Sequence, residues 1–160
     1  MYKSYLVSFR PGIVHRLDKD TTGVILVAKD SKTQEMISAL FKERNVRKTY
    51  RAVVEETIAE NGLTIEGNIG RHPIDRKKMA VLKDGGRSAY TEMRVIERLD
   101  GFTYVEVYPK TGRTHQIRVH LSHIGLSLIH ISEPTRLLSI SYAVFCLNKK
   151  KKHKYLNHTH

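Results

Sequence analysis

The tightest constraint on this chain is a turn. Asp100-Gly101 separates Ser88–Leu99 from Phe102–Tyr108, two stretches that alternate apolar and polar residues. An Asp-Gly pair readily adopts the positive φ angles of a two-residue hairpin. Alternation puts one face of each flanking strand on a core and the other toward water. Around this antiparallel pair the other signals fall into order. Lys48–Val54 reads as a strand with Tyr50, Ala52 and Val54 on one face, and Asn61-Gly62 turns toward a second strand at Leu63–Glu66. Residues 67–88 are loop-like, with Gly70-Arg71-His72-Pro73 and Asp84-Gly85-Gly86, and enclose a short strand at Met79–Leu82. The continuous apolar run Val24–Ala28 has the length of a buried strand, and Arg10-Pro11-Gly12 marks a turn ahead of it. A helix is predicted from Ser31 to Arg44, with Ser31 and Gln34 as a capping box and Met36, Ile37, Leu40 and Phe41 as its apolar face. Lys110–Thr114 opens a second helix with Ile117, Leu121 and Ile124 on one face and Gly125 as its stop. The order predicts an α+β domain, a largely antiparallel mixed sheet with flanking helices.

Charge narrows the partners. The 160 residues suit one domain and carry a formal net charge of +12, which points to a polyanion, most commonly nucleic acid. Part of that charge is the C-terminal run Lys149–Lys152 with Lys154; residues 1–125 alone carry 22 Lys and Arg against 15 Asp and Glu, a net of +7. The single cysteine, Cys146, excludes a disulfide framework and a cysteine-ligated zinc site and fits a reducing compartment. No apolar run reaches membrane-spanning length, and the apolar part of the N-terminus is too short for a signal peptide. His115, His120 and His123 lack the spacing of a zinc-protease helix. The expectation is a cytoplasmic monomer that binds nucleic acid, with no metal, no cofactor and no membrane partner.

After Gly125 the character changes. Leu126–Arg136 and Ile140–Leu147 resemble translated sequencing-adapter ends, and the lysines resemble a trailing poly-A read. The expected division is therefore 1–125, a partial catalytic domain, and 126–160, a non-native and disordered tail.

The chemistry-bearing segment is His15-Arg16-Leu17-Asp18-Lys19-Asp20-Thr21-Thr22-Gly23, a dense polar loop ahead of the apolar run. Taken singly, Asp18 fits a loop cap better than a reactive carboxylate. His-Arg-Leu-Asp also echoes a kinase catalytic loop, but the downstream Asn and the Gly-rich loop are missing. As a whole, the segment resembles the signature motif of RluA/RluD-type RNA pseudouridine synthases. The resemblance continues in order through Lys48-Thr49-Tyr50-Arg51-Ala52-Val53-Val54, then Gly67–Tyr90 in its RluD-like form, then Thr111-Gly112-Arg113-Thr114-His115-Gln116-Ile117-Arg118-Val119-His120.

The resemblance implies a pseudouridine synthase catalytic-domain fragment that isomerises uridines in RNA, with large-subunit ribosomal RNA as the substrate class. It implies Asp18 as the catalytic carboxylate, Tyr50 as the active-site tyrosine and Arg118 as the arginine that pairs with the aspartate. Arg16 is implied to fill the stack vacated by a flipped base. His15, Arg71, Lys78, Arg113, Thr114 and His115 complete the candidate RNA contacts. The physics agrees: a carboxylate sheltered from water stays ionised if an arginine stands by, and a stacked base must be flipped out before chemistry reaches it. The alternative is an inactive, basic RNA-binding fragment, because strands expected before the first motif and after Gly125 are not represented. An incomplete sheet would leave open edges, and this chain is expected to fold poorly and turn over little.

Overall fold

A computed structural model of the chain describes residues 12–128 and the backbone of Tyr142–Leu147. Its elements in chain order are β1 (Thr22–Gly23), α1 (Ser31–Lys42), β2 (Val46–Glu55), β3 (Gly62–Arg71), β4 (Met79–Leu82), β5 (Arg87–Leu99), β6 (Phe102–Pro109), α2 (Gln116–His123) and β7 (Tyr142–Leu147). The strands form one sheet in the order β1-β7-β2-β6-β5-β3-β4. Only the β1–β7 pair is parallel. The predicted α+β class and largely antiparallel sheet are what the chain adopts.

The hairpin forms where the Asp-Gly pair places it. Leu99 faces Phe102 across the turn, and Gly101 takes φ +74°. One sheet face carries Ala52, Val54, Ile65, Met93, Val105 and Val107, all buried, and α2 covers it with the fully buried Leu121. Gly125 ends α2 at φ +84°. Its N–H bonds Ser122 O at 3.2 Å, and the Leu126 N–H bonds Leu121 O at 2.9 Å. This is the double reversal of a glycine-terminated helix, which returns an apolar residue to the helix flank. Here that residue is Leu126, which packs in the same core as Leu121.

Several expectations need correction. Val24–Ala28 is not a buried strand: Val24, Ile25 and Val27 are exposed, and a lone bridge joins Val27 to Ile13. An apolar run is buried only where layers cover both its faces, and of this one only Ala28, whose N–H bonds Gly12 O at 2.8 Å, is buried. The cap of α1 is Asp30 rather than Ser31; its Oδ1 accepts from the Thr33 N–H at 2.8 Å. The predicted apolar face of α1 buries no residue fully, and Met36 is exposed. Ile124 is also exposed, because the helix has already reached its cap there. Strand β3 runs on through Gly67 and Gly70 to Arg71, where the turn-forming residues suggested a loop. Those glycines serve close packing: a Cβ on Gly67 would stand 2.6 Å from Val81 Cγ1, and one on Gly70 would stand 2.5 Å from Leu82 Cδ1.

Position 125 is not a packing boundary. Beyond it Leu126 is buried, Leu128 bridges to Val54, and Tyr142–Leu147 adds to the outer edge of β2. Main-chain pairing at an open strand edge asks little of sequence, so β7 carries no information about the origin of its residues. The Arg10-Pro11 part of the first turn and the lysine run lie outside the described residues. Replacing Leu121 with Ala should cost about 2–5 kcal/mol, read as a lower urea midpoint at unchanged slope; a loss below about 1 kcal/mol would mean α2 does not close the core.

Candidate active site

Three separate parts of the sequence meet in one open cleft of about 1320 Å³: loop residues 15–22, the α1–β2 junction, and residues 108–118. His15, Arg16, Asp18, Tyr50, Arg113, Thr114, His115 and Arg118 all line it. Arg71 and Lys78 do not. They stand at the far end of the sheet, where Arg71 donates to Arg76 O at 3.2 Å and Lys78 pairs with Asp75 at 3.4 Å. The expected RNA-contact set is thus split, with two members remote from the cleft.

Asp18 is reached by His115 across 97 residues of sequence, with Nδ1 2.8 Å from Oδ2. Its side chain is 29% exposed, so the carboxylate is sheltered but open to a ligand. Arg118 does not pair with Asp18. Its Nη2 lies 3.5 Å from Asp20 Oδ2 instead, and His115 takes the position expected of the arginine. The reason is local geometry. His115 precedes α2 in the left-handed conformation, at φ 52° and ψ 29°, and this turns its ring onto the loop while Arg118, almost a turn further on, meets the next acidic residue. A non-glycine residue in that region is strained by about 1–3 kcal/mol and persists only where its surroundings hold it.

Gln116 does the holding. Its Oε1 accepts from Thr111 Oγ1 at 2.7 Å and from the Arg113 N–H at 3.0 Å. Its Nε2 donates to Tyr90 O at 3.0 Å and to Thr91 Oγ1 at 2.9 Å. Thr91 Oγ1 also lies 2.9 Å from Nδ1 of the fully buried His120, whose Nε2 meets no partner among the described residues. From the other side Lys48 Nζ donates to Thr111 O at 2.9 Å. None of Gln116, Thr111, Lys48 or His120 was assigned a site role from sequence. An amide at the first position of a helix was the available signal, but two of its four partners, Tyr90 and Thr91, lie 26 and 25 residues away.

Tyr50 sits on β2 facing the cleft, with its hydroxyl pushed toward the protonated form by burial and then by the negative charge of Asp18. His15 faces the fold as much as the cleft. The Leu26 N–H donates to its Nε2 at 2.9 Å, and its ring stacks on Phe41 with centroids 5.1 Å apart. Burial pushes His15 below the ordinary histidine range, and burial followed by the nearby His123 does the same to His120. No group of three or more His, Cys, Asp or Glu residues suited to a metal ion occurs among the described residues, and no described helix is long and apolar enough to cross a membrane.

The chain is similar to known proteins. The family model described as RNA pseudouridylate synthase matches residues 2–123. Ribosomal large subunit pseudouridine synthase D of Pseudomonas aeruginosa is 49% identical over 120 residues, which are 75% of this chain and 37% of that protein. An uncharacterized RNA pseudouridine synthase, YlyB, of Bacillus subtilis is 46% identical over 119 residues, 74% of this chain and 39% of its own length. The chain therefore spans under two fifths of these relatives. Among solved structures, human RNA Pseudouridylate Synthase Domain Containing 1 superposes with a TM-score of 0.68 at 32% identity, over 72% of this chain and 51% of that one.

The two depressed histidines make a pH prediction. Folded, they take up protons less readily than in the unfolded chain, where histidine protonates as pH falls through about 6.5. The unfolded chain then binds more protons, so stability drops on acidification. The melting temperature should fall between pH 7.5 and 5.5, and His120→Gln should flatten that fall; an equally steep fall in the variant would contradict it.

Proposed function

The chain belongs to the RNA pseudouridylate synthase family, and on that premise we propose that it carries the catalytic centre of an enzyme that isomerises uridine to pseudouridine in RNA. The observation that carries this reading is the convergence of Asp18, Tyr50, His115 and Arg118 on one cleft from three distant stretches of chain. The likeness to large-subunit synthases supports ribosomal RNA as the substrate.

In this reading a uridine leaves its stack and enters the cleft. Tyr50 offers an aromatic face to the base, and its hydroxyl stays protonated beside Asp18. Arg16, exposed at the rim, fills the vacated stack. Asp18 acts on the sugar, by attack or by removal of a sugar proton, so that the bond from base nitrogen to sugar breaks. The base turns, and a carbon of the ring makes the new bond to the same sugar carbon. The proton lost from that carbon is balanced by one gained at the released nitrogen, so no oxidant, reductant or cofactor enters. The His115 N–H donates to the carboxylate and orients it, while Arg118 fixes the same loop through Asp20.

We also assign the family domain to the residues up to 125, supported by the matched range, and read the residues after it as an appended tail of non-native origin. A reducing, cytoplasmic setting and a monomeric state suit the single cysteine and an RNA substrate.

The test has two arms. One is the 160-residue chain; the other carries residues 12–125 in place of the matching segment of the Pseudomonas relative, which supplies the rest of a synthase. With RNA labelled by tritium at the base carbon that is rejoined, the chimera should release tritium. Asp18→Asn should cut that release by roughly 10⁴-fold, the scale at which loss of an essential catalytic group is felt. Release unchanged by the substitution would overturn the reading.

A further inference from the structure

We infer that Arg44, Lys48 and Arg113 form a subsite for one RNA phosphodiester, the one flanking the nucleotide that enters the cleft; this rests on the function proposed above. All three residues line the cleft. They come from three places: Arg44 from the end of α1, Lys48 from β2, and Arg113 from the loop before α2. Among the described residues none of them has a carboxylate partner.

The cluster is built. Lys48 lies largely out of water, and its Nζ is held by Thr111 O at 2.9 Å, which leaves two of its three protons for a ligand. A Cβ on Gly112 would stand 3.6 Å from that Nζ, so the glycine keeps the ammonium uncovered. The Arg113 Nε donates to Ser88 O at 2.9 Å, which fixes the plane of its guanidinium and leaves its two terminal nitrogens. Arg44 stands at φ 59° as the left-handed residue that ends α1, and the Asn45 N–H bonded to Leu40 O at 2.9 Å fixes its backbone there.

The neighbouring charges act in the same direction as burial. Burial, then Arg44 and Arg113, push the Lys48 ammonium below its usual range; burial, then Arg87 and Arg44, do the same to Arg113. Cations gathered without an acidic partner repel one another, and an anion seated among them relieves that repulsion. A phosphate oxygen pair matches a guanidinium fork and an ammonium together. Lys48 and Tyr50 are two residues apart on one face of β2, about 6.6 Å along the strand. The anion site thus adjoins the place of the base, which is where a flanking phosphate falls.

The test reads binding of the 160-residue chain to a fluorescein-labelled RNA stem-loop with a single loop uridine, across sodium chloride concentrations. The double variant Arg44→Gln/Arg113→Gln should lower the slope of log affinity against log salt by about 0.7, the share of one single-strand phosphate contact, and weaken binding roughly tenfold at low salt. The charge-matched control Lys29→Gln/Lys32→Gln, at two exposed lysines flanking the start of α1, should change neither. A methylphosphonate placed next to the uridine should reproduce the loss on the unaltered chain and add nothing on the double variant. Because that change is made in the RNA, a folding defect in a variant does not decide the outcome. If neither flanking methylphosphonate weakens binding, or if the double variant matches the control, the subsite does not exist. Retained isomerisation in Asp18→Asn would sink the reaction and spare the subsite, whereas a normal salt slope in the double variant would sink the subsite and spare the reaction.

Discussion

The carboxamide of Gln116 is the contact on which the site depends. Its two donors and two acceptor positions are all used, toward Tyr90, Thr91, Thr111 and Arg113. A buried amide satisfied in this way is rigid, because moving it would strand polar groups at about 1–3 kcal/mol each. The loop it grips has no regular structure to hold it. Thr111 in turn accepts the Tyr90 N–H at 3.1 Å, so the loop is joined to β5 at two adjacent residues. His115 can keep its left-handed backbone, and its bond to Asp18, only because the residue after it is locked.

A second polar cluster stands on the opposite face of the sheet and is arranged differently. Glu106 draws Arg51 at 3.1 Å and Arg94 at 2.9 Å, and the Tyr108 hydroxyl donates to it as well. The bond from Tyr108, ahead of those from the arginines, holds the Glu106 carboxyl below the usual range. Here two arginines share one carboxylate, and they are about half exposed or more, so the pairs add modestly to stability. In the cleft Arg118 is paired with Asp20, whereas Arg44, Lys48 and Arg113 have no carboxylate partner among the described residues, a difference that a net charge alone does not reveal.

Much of the architecture was legible in short-range signals. Asp100-Gly101, the alternation on its two sides, the strand around Tyr50 and the glycine after α2 each act through neighbouring residues, and each appears where it was expected. The errors share a cause. Val24–Ala28 has the composition of a buried strand, but burial is a property of what lies against it. Gly67 and Gly70 look like loop residues until Val81 and Leu82 are seen lying on them. Arg118 was expected on Asp18, and a strained histidine took that place. Motif spacing does not report a left-handed residue, so this exchange was invisible in one dimension.

The amino-acid sequence by itself determined the class of fold, the family, and most of the candidate residues that line the cleft, because turns, alternation and ordered motifs are local or linear properties. Only the tertiary structure decided which carboxylate His115 and Arg118 each engage, that Gln116 and Lys48 hold the loop, and that Arg71 and Lys78 stand apart from the cleft. Those outcomes depend on side chains from strands and loops tens of residues apart meeting at hydrogen-bond distance, and such meetings are fixed by packing of the whole sheet against α2 rather than by any segment's own pattern.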